Sequence, residues 1–373
     1  MLHVIGGFAR EWGGPSQVVR EMAAALAAQG LRVSVLATDA APGGRRVTHA
    51  EDPTLGYRVH LARADWLRSP YPSLALLRAL RTEARAADIV HVHGLFSAPV
   101  TSAMGLLRWL GTPYLVRTCG MLDAYSLAQN ARLKRVYYHA LERPNLRAAR
   151  ALQVSTAHEE DAVRSLALGV PIVRLAQGVA PGPPAPPASR QRAPYVLFLG
   201  RLARKKGVPL LLDALAHPVA PAVDLVLAGP DEHGHAAELD RQIAALGLGA
   251  RVHRVGVVSD RAKAAWIAHA AALALPSYDE NFGVVVVEAA HYGTPVVVSP
   301  EVGLAPDVLA DGAGLVAPRT PEALARALSE VVTRGRHAYA PGLATFAARF
   351  SWGPIAQSLT RLYEDLIREA PPR

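Results

Sequence analysis

The chain has 373 residues, of which 51% are hydrophobic, with 40 basic and 31 acidic side chains and a formal net charge of +9. This composition excludes a disordered chain, and the length is enough for two domains. The single cysteine, Cys119, excludes an intrachain disulfide, and no run of about 18 apolar residues indicates a membrane span. We expect a cytoplasmic protein, because the short apolar start Met1–Gly7 lacks the basic leader of a secretory signal.

The excess positive charge lies in the first half of the chain. Residues 1–179 carry 21 basic and 13 acidic side chains, whereas residues 180–373 carry 19 and 18. A basic half favours an anionic partner such as a lipid headgroup, a diphosphate or nucleic acid. A solvated, arginine-rich surface without a partner is the alternative.

Short apolar runs alternate with helical patterns along the whole chain. In the first half we predict a helix at Ser16–Gln29 and strands at Leu2–Gly6, Arg32–Ala37, Asp88–His93, Pro113–Arg117 and Ala151–Ser155. In the second half we predict strands at Tyr195–Gly200, Val223–Ala228, Val252–Val257, Ala272–Leu275 and Pro295–Ser299, with helices at Ala236–Ala245, Arg261–Ala271 and Trp352–Arg368. Strands that alternate with helices indicate parallel sheets.

A proline-rich run, Val179–Ser189, separates the two halves, because it cannot form a helix interior or a central strand. We therefore predict an α/β protein with two doubly wound, Rossmann-like domains, at 1–179 and 194–351, joined by a linker at 180–193. Ligands of such domains bind at the carboxyl ends of the strands, and a cleft between the domains is the expected site.

Gly13 and Gly14 stand immediately before the first predicted helix. Glycine lets a ligand approach the backbone closely, and the free amides of a helix start favour a phosphate. A plain turn with Ser16 as the helix cap is the alternative. The segment is not a G-x-G-x-x-G fingerprint, so we expect no dinucleotide and no other cofactor.

Two cations follow the predicted strand Tyr195–Gly200. Arg201 and Lys206 would lie at its carboxyl end, where an arginine fork and a lysine charge suit a diphosphate leaving group. A solvated basic loop is the alternative.

Two carboxylates flank an apolar run near the end of the second half. Glu280 follows the strand Ala272–Leu275 in a loop, and Glu288 lies eight residues later, inside a helix that Asn281, Phe282 and Gly283 are expected to open. Buried carboxylates are costly, and sugar hydroxyls would compensate by donating hydrogen bonds to them. The spacing does not require the two groups to face each other as a hydrolase pair does.

Together these motifs resemble the retaining family 4 glycosyltransferases of the GT-B fold, over nearly the whole chain. The specific motifs are Gly200-Arg201-x4-Lys206-Gly207 and Pro276-Ser277-x-x-Glu280-x-Phe282-Gly283 with Glu280-x7-Glu288; Gly13-Gly14, Leu227–Pro230 and Gly293–Val297 are weaker but occur in the same order. The resemblance implies an acceptor-binding N-terminal domain, a donor-binding C-terminal domain and a last helix, 352–368, that packs back on the N-terminal domain.

The resemblance also implies roles for single residues. Arg201 and Lys206 would bind the donor diphosphate and Glu280 would hold the transferred sugar, which makes these three the catalytic candidates. The donor-binding candidates are Gly13, Gly14, Gly200, Val257, Asn281, Phe282, Gly283, Val284 and Glu288, with Glu288 on the ribose and the Gly14 amide on a phosphate across the cleft.

The chain departs from the family after the strand Pro113–Arg117. Many members have a histidine and a glycine there, whereas this segment is Arg117-Thr118-Cys119-Gly120-Met121-Leu122 and resembles a polysaccharide-assembly branch instead. The role of that histidine cannot be transferred to Cys119. Our acceptor-side candidates are His93, Arg117, Gly120 and Met121.

His91 and His93 share one strand face, but no neighbouring carboxylate in the sequence and no Asp-x-Asp motif completes a metal site, so we predict no metal. Arg132, Lys134 and Arg135 begin a stretch of basic and aromatic residues that favours an anionic membrane surface. No nucleic-acid motif accompanies it, and a solvated face is the alternative.

The sequence therefore predicts a metal-independent, retaining hexosyltransferase in surface polysaccharide biosynthesis. The donor would be a nucleoside diphosphate sugar, and the acceptor a saccharide, with a lipid-diphosphate-linked one favoured by the basic first half. The protein would be cytoplasmic, with a peripheral position on the inner face of the membrane as an option. A nucleotide-sugar epimerase of the same architecture and a non-catalytic nucleotide-sugar-binding protein remain the alternatives.

Overall fold

The computed structural model describes residues 1–47, 56–67, 71–187, 194–232 and 234–369. It divides into two units: unit 1 comprises Met1–Gly178 together with the chain from Trp352 onward, and unit 2 is Val179–Ser351. Part of the expected linker, 188–193, lies outside the described residues.

The bounds of the elements follow in chain order. The strands are β1 Leu2–Gly7, β2 Ser34–Thr38, β3 Ala40–Ala41, β4 Arg45–Arg46, β5 Arg58–Ala62, β6 Val90–His93, β7 Tyr114–Arg117, β8 Ala151–Val154, β9 Ile172–Arg174, β10 Tyr195–Leu199, β11 Asp224–Ala228, β12 Val252–Gly256, β13 Ala272–Leu275, β14 Val296–Val298 and β15 Gly314–Val316. The helices are α1 Gly14–Ala28, α2 Leu74–Ala86, α3 Ala98–Leu110, α4 Ala124–Ala128, α5 Ala131–Tyr137, α6 Arg143–Arg147, α7 Ala157–Ser165, α8 Val208–Ala216, α9 His235–Ala245, α10 Asp260–His269, α11 Val284–His291, α12 Ala305–Asp311, α13 Pro321–Arg334, α14 Ala340–Arg349 and α15 Trp352–Arg368.

Unit 1 is built on a parallel sheet. Over the described residues this sheet has seven strands in the order β5-β2-β1-β6-β7-β8-β9, and β3 and β4 form a separate antiparallel pair. The side chains of β1 and β6 alternate between the two faces of the sheet. Val4 and Val92 join the hydrophobic core under α2 and α3, whereas His3, His91 and His93 point to the other face.

Unit 2 repeats the same architecture. Its described residues form a six-stranded parallel sheet in the order β12-β11-β10-β13-β14-β15. In both units the strand order reverses beside the first strand, which is the doubly wound arrangement. The predicted α/β class with two Rossmann-like domains is confirmed.

Among the described residues, five strands were not predicted. They are the short antiparallel pair β3 and β4, and β5, β9 and β15, each of which lies at the edge of a parallel sheet. An edge strand is partly exposed and therefore lacks a continuous apolar run. In β5, for example, Arg58 and His60 are exposed while Ala62 is buried. Where strands and helices were predicted, their ends differ by at most two residues, as in α1, which begins at Gly14 instead of Ser16.

The last helix, α15, belongs to unit 1. It packs against α1, and the indole Nε1 of Trp352 donates a hydrogen bond of 2.7 Å to the Glu21 carboxylate. Its buried face includes Ile355, Leu359 and Tyr363. Among the described residues, no helix combines the length and the hydropathy that crossing a bilayer requires.

Candidate active site

The predicted donor residues lie at the switch point of the unit 2 sheet. β10 and β13 are neighbours there, and the strand order reverses between them. The loop from Gly200 to Gly207 leaves the carboxyl end of β10, and the loop from Pro276 to Gly283 leaves the carboxyl end of β13. Crevices at such points are where doubly wound sheets bind their ligands.

Backbone contacts join these two loops. The amide of Tyr278 donates a hydrogen bond of 2.7 Å to the carbonyl of Lys205. Gly207 has a φ of 71°, and a Cβ there would lie 2.0 Å from the carbonyl oxygen of Pro276. A side chain at residue 207 would therefore separate the loops.

The structure brings Lys206 and Glu280 together. The Lys206 Nζ atom contacts Glu280 Oε2 in an ion pair whose side chains are 13% and 19% exposed. Lys205 and Asp279 form a longer ion pair of 3.5 Å beside it. The sequence identified Lys206 and Glu280 as separate candidates, and their direct contact is a finding of the structure.

The backbone around Glu280 is fixed on both sides. Its amide donates to the Glu301 carbonyl at 3.2 Å, and its carbonyl accepts from the Gly303 amide at 2.8 Å. Because both backbone groups are engaged, the position of the Glu280 side chain depends little on its own loop.

The helix after Glu280 begins at Val284, directly after Asn281, Phe282 and Gly283, which were expected to open it. Gly283 is its N-cap and has a φ of 92°, which favours glycine. Phe282 is buried and packs edge-to-face on Phe350 at 5.7 Å. Asn281 is partly buried in the same turn. The first turn of α11 thus presents backbone amides at the loop that carries Glu280.

Arg201 has a different partner. Its guanidinium contacts the carboxylate of Glu232, and the Arg201 side chain is 54% exposed. The amide of Gly200 donates to the carbonyl of Ala228 at 2.9 Å, which holds the start of this loop against β11. The sequence did not predict Glu232 as the partner of Arg201.

Glu288 lies inside α11 and pairs with Lys263 of α10. The distance from Lys263 Nζ to Glu288 Oε1 is 2.7 Å, and the side chains are 22% and 10% exposed. Burial would lower the pKa of Lys263, but the Glu288 charge and hydrogen bond, with smaller contributions from Asp260 and Tyr292, outweigh burial and raise it. Lys263 is therefore charged at neutral pH.

Val257 follows β12 in an exposed loop, and its side chain is 75% exposed. The carbonyl of Gly256 accepts a hydrogen bond of 2.8 Å from the Gly229 amide. The loops after β11 and β12 are therefore tied to each other at the carboxyl edge of the sheet.

In unit 1, Gly13 and Gly14 are exposed at the start of α1. Gly13 is the N-cap with a φ of 75°, a conformation that favours glycine. Gly14 is the first residue of the helix, and a Cβ at either position would meet no described atom within 4 Å. Packing within unit 1 therefore does not explain why residue 14 lacks a side chain.

The acceptor-side candidates after β7 lie in a loop that a buried carboxylate organises. Glu159 is 1% exposed. Its Oε1 atom accepts hydrogen bonds from Thr118 Oγ1 at 2.6 Å and from the Gly120 amide at 2.5 Å, while Oε2 accepts from the Ser155 amide at 2.7 Å. One carboxylate thus ties the loops after β7 and β8 together.

The other residues of this segment are mostly enclosed. Arg117 is 3% exposed and donates to the side-chain oxygen of Gln177. Met121 is partly buried, and its sulfur accepts a hydrogen bond from the Leu95 amide at 3.0 Å. Cys119 adopts a φ of 55°, and burial raises the pKa of its thiol. Burial disfavours the thiolate, so Cys119 is not an activated nucleophile.

His93 belongs to a buried histidine cluster, which consists of His3, His91 and His93. His3 Nδ1 and His93 Nε2 are 2.9 Å apart, and His91 Nδ1 lies 2.8 Å from the hydroxyl of Tyr363. Burial holds the pKa of His3 at about 3 and lowers the pKa values of His91 and His93, with Arg117 adding to the effect on both. The sequence did not predict that His3 joins the pair.

The ring nitrogens of this cluster lie within 4.8 Å of one another, a spacing at which three imidazoles could hold a metal ion. The nearby Arg117 cation opposes a second positive charge. The absence of a metal stays a prediction.

Two of the residues that the sequence analysis did not identify, Glu159 and Lys263, differ in how visible they are in the sequence. Thr156 and Glu159 have the spacing of a capping box, and Thr156 Oγ1 does accept from the Glu159 amide at 3.2 Å. Lys263 gave no signal, because one lysine on a predicted helix is most often solvated. Only the packing of α10 on α11 identifies it.

Two family models match the chain. The model described as a glycosyl transferase 4-like domain matches residues 13–178, and the model described as glycosyl transferases group 1 matches residues 184–341. The D-rhamnosyltransferase WbpZ of Pseudomonas aeruginosa is 30% identical over 308 residues, which cover 78% of this chain and 74% of that relative. The chain belongs to the family 4 glycosyltransferases.

Other family 4 relatives match in part. A D-inositol 3-phosphate glycosyltransferase of Corynebacterium kroppenstedtii is 35% identical over 190 residues, which span 48% of this chain and only 42% of that relative. The solved structure of Anabaena HepE in complex with UDP and glucose has a TM-score of 0.71 and 18% identity, over 98% of this chain and 99% of that one. At this identity the likeness concerns the GT-B fold alone.

Proposed function

We propose that this protein is a retaining glycosyltransferase, which moves a sugar from a nucleoside diphosphate sugar to a saccharide acceptor. The observation that carries the proposal is the contact of Lys206 with Glu280 at the switch point of unit 2. Membership of the family supports sugar transfer, and the contact supplies the two kinds of group that such a donor needs. These are a cation for the diphosphate and a carboxylate for the sugar hydroxyls.

Unit 2 would bind the donor. Lys206 and the half-exposed Arg201 would bind the diphosphate, and the amides at the start of α11 would add dipoles of the same sign. These fixed cations would stabilise the leaving diphosphate without a metal ion. Glu280 would bind the sugar, while the backbone near Val257 would hold the nucleobase. In unit 1, the exposed Gly14 amide is a separate candidate for a phosphate contact, because a Cβ at residue 14 would meet no described atom within 4 Å.

We assign Glu280, which contacts the Lys206 ammonium, to hydrogen bonding with the sugar and not to covalent attack. We propose attack of the acceptor hydroxyl from the side that the diphosphate leaves. The bond from the sugar anomeric carbon to the phosphate oxygen breaks with its electron pair on the diphosphate. The bond from the acceptor oxygen to that carbon forms, and the acceptor proton passes to the departing phosphate oxygen. A glycosyl-enzyme trapped at Glu280 would contradict this mechanism.

The first test is a donor screen with the purified protein. Nucleoside diphosphate release is followed from UDP-, GDP-, ADP- and TDP-sugars, with and without a lipid-diphosphate-linked saccharide. We expect acceptor-dependent release, and a loss of about a hundredfold or more in kcat for Lys206→Ala and Glu280→Ala. Arg326→Ala breaks an exposed ion pair on α13 and should retain wild-type activity.

The same screen separates the alternatives. Conversion of the sugar without an acceptor would indicate an epimerase instead. Binding without release, across all donors and acceptors, would indicate a binding protein. NMR of the product's anomeric proton tests stereochemistry, and an inverted product would overturn the retaining mechanism.

We also propose that unit 1 binds the acceptor at an anionic membrane, in the assembly of a surface polysaccharide. α5 and the single π-helical turn Tyr138–Glu142 that follows it expose Leu133, Val136 and Leu141, at 71%, 67% and 45%. The same segment and α6, which follows it, expose the basic side chains Arg132, Arg135, His139 and Arg147. Exposed apolar and basic side chains on one helical segment are typical of helices that lie in a membrane interface.

Vesicle flotation tests the membrane surface. The protein should bind vesicles of phosphatidylcholine with phosphatidylglycerol, and binding should fall at high salt. Arg132→Ala with Arg135→Ala should weaken binding about thirtyfold, since each basic residue near an anionic surface contributes roughly 1 kcal/mol. Arg78→Ala with Arg81→Ala has the same spacing on α2 and should leave binding unchanged. Equal loss from both pairs would show only a net-charge effect.

A further inference from the structure

Lys263 has no part in the proposed sugar transfer, but its ion pair with Glu288 indicates a role for it. Lys263 is the fourth residue of α10, and Glu288 lies in the second turn of α11. Their ion pair of 2.7 Å joins the two helices, and both side chains are largely buried. An ion pair at this depth fixes geometry more firmly than an exposed one.

The start of α10 is itself tied to the loop after β12. Ser259 caps the helix, and its carbonyl accepts a hydrogen bond of 2.7 Å from the Lys263 amide. That loop, which contains Val257, is where the nucleobase is expected. Lys263 therefore connects the segment expected at the base to the carboxylate expected at the ribose.

We propose that Lys263 is a positioning residue, which holds Glu288 through Oε1 so that Oε2 accepts a hydrogen bond from the ribose, and that this pair makes the site select ribonucleotides over dideoxyribonucleotides. The inference rests on the proposed function, because that function places a ribose at Glu288. A carboxylate bound through one oxygen can no longer rotate freely, so its second oxygen keeps one direction. A site built to accept a hydrogen bond rejects an analogue that lacks the donor.

The charge on Lys263 supports this role. Burial opposes the charge on Lys263, yet the facing Glu288 carboxylate, with Asp260 and Tyr292, raises the pKa of Lys263. Without the ammonium, Glu288 would be a buried carboxylate with an unpaired charge. Its side chain would then be free to rotate toward water, and the ribose contact would weaken.

The test compares two dissociation constants by calorimetry. UDP, GDP and ADP are first compared, and the nucleoside diphosphate that binds the wild type most tightly is chosen. Its dissociation constant is then compared with that of its 2′,3′-dideoxy counterpart. A hydrogen bond to a charged group contributes about 1.5–3 kcal/mol, so the wild type should prefer the ribonucleotide by about tenfold or more. Lys263→Met should bring that ratio close to one, mainly by weakening ribonucleotide binding.

Five further variants separate positioning from general damage. Lys263→Arg keeps the charge and should retain most of the preference, whereas Lys263→Gln should lose it even if Lys263→Met does not fold. Glu288→Gln should lose the preference as well, and the double variant Lys263→Met with Glu288→Gln should lose no more than Glu288→Gln alone. Arg254→Met breaks a similar 2.7 Å ion pair with Asp240 in the same unit and should keep the wild-type ratio.

The outcomes distinguish this inference from the proposed function. If the wild type binds no nucleoside diphosphate, the proposed function fails and this inference fails with it. If the wild type binds and discriminates, but folded Lys263→Met and Lys263→Gln discriminate equally well, only the role of Lys263 is overturned. If the wild type binds the ribonucleotide and its dideoxy counterpart equally well, Glu288 does not recognise the ribose. The inference is then wrong, whatever the role of Lys263.

Discussion

Gly207 shows how one missing side chain shapes the candidate site. It has a positive φ, and a Cβ there would lie 2.0 Å from the carbonyl oxygen of Pro276, a backbone atom that cannot move alone. The closeness of the two loops that carry Lys206 and Glu280 therefore depends on glycine. The motif contains this glycine, but its reason is visible only in the structure.

We expect Gly207→Ala to lower the free energy of unfolding of unit 2 by about 2 kcal/mol or more, because strain and the close contact add. Urea unfolding followed by circular dichroism measures this. Gly249→Ala is the matched control, since a Cβ there meets no described atom within 4 Å, and it should change stability by less than about 0.5 kcal/mol. Equal effects of the two substitutions would show that the contact is relieved by backbone movement.

The sequence predicted which charged residues belong to the candidate site, but it did not predict the residues that pair with them. Lys206 and Glu280 stood out because charged groups at the end of an apolar strand are unusual. Glu232 and Lys263, which hold Arg201 and Glu288, did not, because pairing across helices depends on packing that one-dimensional spacing does not contain. The sequence therefore indicated the chemistry of the site but not how its charges are balanced.

The start of helix α7 holds the loops after β7 and β8 together. Its third residue, Glu159, accepts hydrogen bonds from Thr118, Gly120 and Ser155, so the helix start organises the loop that carries the acceptor-side candidates. Thr118 is fully buried, and removal of the carboxylate would leave its hydroxyl without this partner. Helix α7 thus stabilises unit 1 and also orders the loop that carries the acceptor-side candidates.

Glu159→Ala should lower the free energy of unfolding of unit 1 by about 2–3 kcal/mol, because buried donors lose a charged acceptor. Hydrogen exchange should show faster exchange at the amides of Gly120 and Ser155. Asp161→Ala on the same helix removes an exposed carboxylate and should change stability by less than about 0.5 kcal/mol. Unchanged exchange at Gly120 in Glu159→Ala would refute the organising role.

Strands with a continuous apolar run were predicted from the sequence, whereas most strands without one were not. β13 was predicted with its exact bounds because Ala272–Leu275 is wholly buried. The edge strands β5, β9 and β15 were missed, since their pairing partners supply the order that their sequences do not. α11 was predicted as a helix although its four consecutive valines favour a strand, and Val286 and Val287 are buried in it.

Over the whole molecule, the buried histidine cluster makes unit 1 sensitive to acid. The folded-state pKa of His3, about 3, lies below the ordinary value near 6.5, and those of His91 and His93 are lowered too. The unfolded chain therefore binds more protons below about pH 6.5, and stability is lost as the pH falls through that value toward the folded pKa. Arg117 and Tyr363 face the cluster and supply no negative charge that would offset this.

Between pH 7 and pH 5 we expect His3 alone to reduce the stability of unit 1 by about 2 kcal/mol. Urea midpoints at the two pH values measure the change, and His3→Met should make it smaller. Val4→Ala, on the opposite face of the same strand, is the control: it creates a cavity and should lower stability by the same amount at both pH values. An unchanged pH dependence in His3→Met would exclude His3 as the source.

The position of α15 has a consequence for synthesis on the ribosome. Unit 2 is continuous in sequence, whereas unit 1 receives its last helix only after all of unit 2 has been made. At 5–20 residues per second, the earlier part of unit 1 would wait on the order of ten seconds or more for Trp352, Ile355 and Leu359. During that time the faces of α1 and of the histidine strands that α15 covers would be open to chaperones. Unit 2, which needs no later segment, would complete its folding first.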